Sequence, residues 1–170
     1  MNILQQTHHW ILKHKSSDNL VIDMTAGNGH DTLFLAQHFK RVITIDIQET
    51  ALKITQERLK DYDNVTYVHA DHSTIDFKSY GPVDGAIYNL GYLPHSDKTI
   101  ITTDDTTLQS LDNLLPILKD FLVITCYVGH DGGETEHQAV LNWILKNEFK
   151  PTIFKYEHKE KSPIAYCIKL

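Results

Sequence analysis

The apolar positions of this chain fall into short, bounded runs rather than long periodic stretches. Leu20-Val21-Ile22 is an unbroken apolar run closed by Asp23, the pattern of a strand covered on both faces. Met24 to Asp31 then breaks into a turn bracketed by Gly27 and Gly29, and Thr32-Leu33-Phe34-Leu35-Ala36 carries a helix expected from about Asp31 to Phe39. The alternation recurs. Arg41 to Gln48 reads as a strand and Glu49 to Lys60 as a helix with Ala51, Leu52, Ile54, Thr55 and Leu59 at helical spacing. Strands follow at Val65 to Ala70 and Val83 to Tyr88, a helix at Leu108 to Leu118, a strand at Phe121 to Val128 and a helix from about Glu134 to Lys146. Ahead of the first strand, Thr7 to Lys15 places Trp10 and Ile11 in a short amphipathic helix that can border a pocket at the strand ends. Pro151 to His158 and Ile164 to Ile168 alternate like strands across the short turn Lys159 to Pro163. That connection is too short for a crossover, so the pair must be antiparallel. The whole predicts an α/β fold: a mostly parallel sheet with helices on both faces and an antiparallel C-terminal hairpin strand.

With 170 residues, of which 41% are hydrophobic, the chain is expected to form one domain over residues 1–170. Met1 to Gln6 lacks a charged segment followed by a long apolar core, and no apolar stretch is long enough to span a bilayer. A cytoplasmic protein without a membrane partner is expected. Cys126 and Cys167 sit in apolar runs and form no C-x-x-C pair, which marks them as buried core residues. The 11 histidines show no H-E-x-x-H or comparable spacing, so no metal is expected. A formal net charge of −6 argues against indiscriminate coating of nucleic acid, and Lys146, Lys150, Lys155, Lys159 and Lys161 read as a solvated edge.

The candidate chemistry sits at the strand ends. A phosphate-binding loop attracts negative charge through its backbone amides. A carboxylate such as Asp23 just before the turn instead suits a cationic, amine-bearing ligand such as S-adenosylmethionine, with Ala26, Gly27, Asn28 and Gly29 in the turn itself. Thr32 stands where the dinucleotide fingerprint calls for Gly or Ala, and a plain strand-to-helix turn with a capping acid would give the same local pattern. Asp46 ends the second strand where doubly wound sheets hold an acid for ribose hydroxyls, with Gln48 beside it. Asp71 follows the third strand and could bond an adenine amino group with His72 packed against the ring, although a capping Asp and a surface His fit equally well locally. Acids at three strand ends, Asp23, Asp46 and Asp71, should converge on one crevice. Asn89-Leu90-Gly91-Tyr92-Leu93-Pro94 follows the fourth strand. The Asn89 side-chain oxygen and the Leu90 carbonyl could accept from an amine while Tyr92 offers a surface to a planar base. Thr103, among the Thr and Asp residues after that loop, and His130 and Asp131 in a second glycine loop, are candidates for substrate contact.

Together, the D-x-x-x-G-x-G turn at Asp23 to Gly29, the acid at Asp46, Asp71-His72 and N-L-G-Y-L-P at Asn89 to Pro94 resemble class I S-adenosylmethionine-dependent methyltransferases. More narrowly, they are similar to a small bacterial family once labelled "putative rRNA methylases". That family is now associated with methylation of 5-aminomethyl-2-thiouridine at tRNA wobble position 34. The resemblance implies a Rossmann-like seven-stranded sheet, S-adenosylmethionine as cofactor, and a tRNA anticodon arm as partner. It also implies cofactor contacts from Ala26, Gly27, Asn28, Asp46, Gln48, Asp71 and His72, with Asn89, Leu90 and Tyr92 facing the amine. The family pattern has two glycines after the Pro where this chain has His95-Ser96, a difference on the substrate side of the loop. A homodimer would be one way for an acidic monomer to build a basic groove. A methyltransferase of the same fold acting on another RNA nitrogen or a small-molecule amine remains open, as does, more distantly, a nicotinamide-binding oxidoreductase or a non-catalytic Rossmann-like module.

Overall fold

The computed structural model describes residues 1–91, 104–129, 132–157 and 161–170. Its strands are β1 (Leu20–Asp23), β2 (Arg41–Asp46), β3 (Val65–His69), β4 (Val83–Leu90), β5 (Leu118–Cys126), β6 (Thr152–Lys155) and β7 (Ile164–Lys169). They form one seven-stranded sheet in the order β3-β2-β1-β4-β5-β7-β6. The first five strands pair in parallel, whereas β7 is antiparallel to both β5 and β6, as the short turn between the last two strands requires. The helices are α1 (Ile3–His14), α2 (His30–His38), α3 (Glu49–Arg58), α4 (Asp104–Leu114) and α5 (Gly133–Lys146).

Several boundaries differ from expectation, two of them for a plain local reason. Helix α1 begins at Ile3 rather than near Thr7 because Asn2 and Gln5 form a capping box, in which each side chain accepts from the other's backbone N–H. Helix α4 stops at Leu114 rather than Leu118. A 3₁₀ turn containing Pro116 follows, and β5 starts at Leu118, because proline cannot continue the helical ladder.

Strand side chains alternate between two cores. Val21, Ile87, Phe121 and Val123 pack with Trp10 and Ile11 of α1 and Phe34 and Leu35 of α2. Ile22, Tyr88, Leu122 and Ile124 pack on the opposite face with Leu111 of α4 and Val140 and Trp143 of α5. The cysteines divide the same way, Cys126 in the α4 and α5 core and Cys167 in the α1 and α2 core. Both are buried, and burial pushes each thiol up to about 12, so neither supplies a thiolate nucleophile near neutral pH.

Gly85 shows how tightly the first core closes. It pairs with Phe121 across the sheet, and a β-carbon at Gly85 would lie 2.1 Å from Phe121 Cζ. Phe121 is fully buried with its ring 6.0 Å from that of Phe39, so it has no open direction in which to swing. Gly85→Ala is therefore expected to lower the unfolding free energy by about 3 kcal/mol in urea titration; a loss below about 1 kcal/mol would show that the ring can move aside.

Candidate functional site

The depth of each strand-end residue follows from register. Asp23 stands beside Thr44 of β2 and Ile87 of β4. Asp46 and Asn89, each two positions beyond those partners, therefore project past it at the carboxyl rim, on the sheet face that α2 covers. Asp23 itself is fully buried beneath the rim. Its carboxylate accepts from the Thr25 N–H at 3.1 Å and the Thr32 hydroxyl at 2.7 Å, and Thr32 continues to Thr44 at 2.9 Å. Burial, with the Asp31 charge nearby, holds the Asp23 carboxyl well above the usual carboxylate range. The expectation that Asp23 meets a cationic ligand is thus corrected: it holds the turn from below and has no surface to offer.

The glycine loop is fastened on several sides. Gly27 donates its N–H to Asp46 Oδ2 at 3.0 Å, and Gln48 donates its backbone N–H to Asp46 Oδ1 at 2.8 Å. Burial raises the Asp46 pKa while those two amides work against the rise. Each carboxylate oxygen retains a second lone pair, the feature a sugar hydroxyl needs. From α3, the Thr55 hydroxyl donates to the Gly27 carbonyl at 3.2 Å and Arg58 Nε donates to the Asn28 carbonyl at 2.6 Å. Gly29 has φ +86°, a left-handed conformation, and a β-carbon there would come within 3.1 Å of Thr55. The turn therefore needs glycine at this position on two counts.

Asn89 occupies the centre of the rim. Its backbone N–H donates to the Thr25 hydroxyl at 2.8 Å, and its side-chain Nδ2 donates to Asp31 Oδ2 at 2.7 Å. Asp31, in the first turn of α2, is also bonded through Oδ1 to His8 Nε2 at 2.5 Å. The His8 ring lies flat on Phe34, with centroids 3.9 Å apart and planes 6° from parallel. Leu4, Thr25, Ala26, Gly27, Asn28, His30, Asp31, Asn89 and Tyr127 line one cavity, so the turn expected to hold a cofactor and the amide expected to meet an amine share one space.

Other expected residues fall elsewhere. The Leu90 side chain is buried in the α4 and α5 core, and its carbonyl accepts from the Tyr127 N–H at 2.8 Å, continuing the sheet beyond the end of β5. That bond uses one of the carbonyl's two lone pairs, and its expected part as a second acceptor for an amine rests on the other. His72 is also turned inward, its ring 5.4 Å from that of Tyr88 at 87°, and neither ring nitrogen has a hydrogen-bond partner among the described residues. The expected packing of this ring on an adenine is corrected to packing in the core. Asp71 caps the 3₁₀ turn His72–Thr74, accepting from the Ser73 N–H and hydroxyl at 2.9 Å each, and Gln48 is buried beside Asp46. Tyr92, Thr103, His130 and Asp131 lie outside the described residues.

His8 and Asp31 were not singled out from the chain, although a pattern was present. Ile3, Thr7, Trp10 and Ile11 are the buried positions of α1, and His8 lies three residues before Ile11 on the same side while His9 faces out. An acid in the first turn of a helix, by contrast, is so ordinary that Asp31 carries no distinguishing mark.

A parallel sheet reordered at β1 and β4, a glycine turn after β1, an acid ending β2 and a closing antiparallel strand define the class I methyltransferase fold. The chain belongs to the family described as "Putative rRNA methylase", whose family model matches residues 42–169. A chloroplast protein of Arabidopsis thaliana named tRNA (mnm(5)s(2)U34)-methyltransferase is 34% identical over 138 residues, or 71% of this chain; the chain spans 50% of that relative's length. A "putative methyltransferase" of Streptococcus mutans, crystallised in complex with SAH, superposes with a TM-score of 0.86 at 31% identity, over 99% of this chain and 98% of that one. A "putative rRNA-methylase" of Clostridium thermocellum superposes with a TM-score of 0.87 at 32% identity, over 100% of this chain and 98% of its own.

Proposed function

We propose that this chain uses S-adenosylmethionine to convert 5-aminomethyl-2-thiouridine to 5-methylaminomethyl-2-thiouridine at wobble position 34 of tRNA. The observation that carries the reading is the Asn89 amide, held by Asp31 at the wall of the cavity that the Ala26 to Asn28 turn also lines. The fit to the cofactor rests on the character of that wall. Among the described residues it contains one carboxylate, Asp31, and two side-chain amides, Asn28 and Asn89, but no Lys or Arg, which suits an ammonium and a sulfonium and leaves a dinucleotide pyrophosphate without a counter-charge. The backbone of Ala26 and Gly27 and the outer lone pairs of Asp46 would hold the cofactor, with Asp71 further round the rim. When bound, it supplies an electrophilic methyl group on a sulfonium.

What the chain adds is orientation. A primary amine that donates one N–H to Asn89 Oδ1 has its lone pair turned in a set direction, and holding two reactants in such geometry removes much of the entropic barrier. With both thiols buried and protonated near neutral pH, no covalent enzyme intermediate is available, which favours transfer to a nitrogen over carbon-5 methylation of uridine. The sequence relationship to the Arabidopsis protein supports the nucleotide named. On this reading the chain's partner is the tRNA anticodon arm.

Mass spectrometry of tRNA nucleosides from a deletion strain tests the assignment. Accumulation of the unmethylated aminomethyl nucleoside is expected, with recovery on expression of the chain. An unchanged nucleoside profile would refute the substrate. Calorimetric titration separates the cofactor question: S-adenosylhomocysteine should bind and NADH should not.

A further inference from the structure

We infer that Asp31 and His8 form a positioning pair that sets which atom of the Asn89 amide faces the reacting amine. The inference rests on the amine-methylation reading above and adds two residues to it. An asparagine amide presents a donor on one side and an acceptor on the other, and the two orientations are nearly equal in shape. A carboxylate removes that ambiguity, because it only accepts. With Asp31 Oδ2 at 2.7 Å, the amide must point Nδ2 at Asp31, which turns Oδ1 away from the carboxylate and leaves it to accept from an N–H.

Asp31 can impose this choice only if its own carboxylate is fixed. His8 fixes it: Nε2 lies 2.5 Å from Oδ1, and the ring is clamped flat against Phe34. Since the carboxylate accepts, Nε2 carries the proton, so the contact also sets the His8 tautomer. Asp31 is nearly buried and sits in the first turn of α2, where the exposed backbone N–H groups favour its negative charge. The early start of α1 at Ile3 brings Leu4 to the same cavity, so one helix supplies both a wall and the clamp. Asp31 and His8 act through Asn89 and are positioning residues.

Asp31→Asn keeps the shape but offers a donor as well as an acceptor, so Asn89 can flip. With S-adenosylmethionine saturating and aminomethyl-bearing tRNA varied, kcat should fall about 10²-fold while KM for tRNA and the affinity for S-adenosylhomocysteine each stay within about threefold. His8→Ala should lose about tenfold in kcat, and His8→Gln, whose Nε2 can still donate to Asp31, should recover most of that loss. A defect confined to folding would lower the thermal midpoint and reduce the number of S-adenosylhomocysteine sites per chain in step with kcat, and would show no such rescue. In ¹⁵N-labelled protein the Asn89 side-chain amide protons should exchange about tenfold faster in Asp31→Asn than in the wild type. Asp31→Asn turnover within about threefold of the wild type, or unchanged Asn89 exchange, overturns the inference. Wild-type protein that leaves the aminomethyl tRNA unmethylated overturns the substrate assignment instead, and the exchange measurement, which needs no substrate, still decides the grip on Asn89.

Discussion

Asn89→Ala is expected to lower kcat for methyl transfer by about 10³-fold while the dissociation constant for S-adenosylhomocysteine changes less than about threefold. The asymmetry follows from what the residue touches. The turn at Ala26 to Asn28 is held by Asp46, Thr55 and Arg58, none of which depends on the Asn89 side chain. The Asn89 backbone N–H, which donates to the Thr25 hydroxyl, survives the substitution as well. On the proposed function, truncation therefore removes the proposed acceptor for the amine and frees Asp31 Oδ2, but it leaves the glycine-turn side of the cavity intact. The Leu90 carbonyl already accepts from Tyr127 and keeps one lone pair, so it offsets only part of the loss and the expected effect remains large. Steady-state kinetics with saturating cofactor and tRNA give kcat, and calorimetry gives the dissociation constant. An equal loss in both would mean that Asn89 builds the cofactor site and does not orient the amine.

Much of this site is written in alternation. Asp46 shares parity with Val42 and Asn89 with Ile87, so once the strands are recognised, both acids and amides at their ends must appear at one rim, above the same helix. The hairpin at the end of the chain was legible for an equally simple reason, the length of its turn. Depth was not legible. Whether a strand-end acid lies at the surface or one step beneath it depends on register between strands that are far apart in sequence, and this is why Asp23 is buried while Asp46 is not. The same holds for the Leu90 carbonyl, whose partner Tyr127 lies just beyond the end of β5, the next strand in the chain but 37 positions away. The link from His8 to Asp31 spans α1 and α2, and only the packing of both helices on one face brings them together.

Acid should destabilise this protein through His72, and His72→Phe should remove much of that sensitivity. Burial lowers the His72 pKa from 6.5 to about 4, with the Asp71 charge pulling weakly the other way. The sign follows from proton counting: between pH 6.5 and 4 the unfolded chain binds a proton at this residue that the folded chain does not. Stability at His72 is therefore intact above the unfolded pKa and is lost as pH falls toward the folded one. Between pH 7 and 4 the wild type should lose about 3 kcal/mol more than His72→Phe, read as the difference in urea unfolding free energies at each pH. Phenylalanine preserves an aromatic edge toward Tyr88 and carries no ring nitrogens, so the orphaned polar atoms of His72 disappear with the charge. Parallel stability curves for the two proteins across that range would mean that the imidazole reaches solvent or a carboxylate when protonated. The ring would then be swinging out of the core toward the Asp71 side of the rim, where an aromatic surface could still meet an adenine.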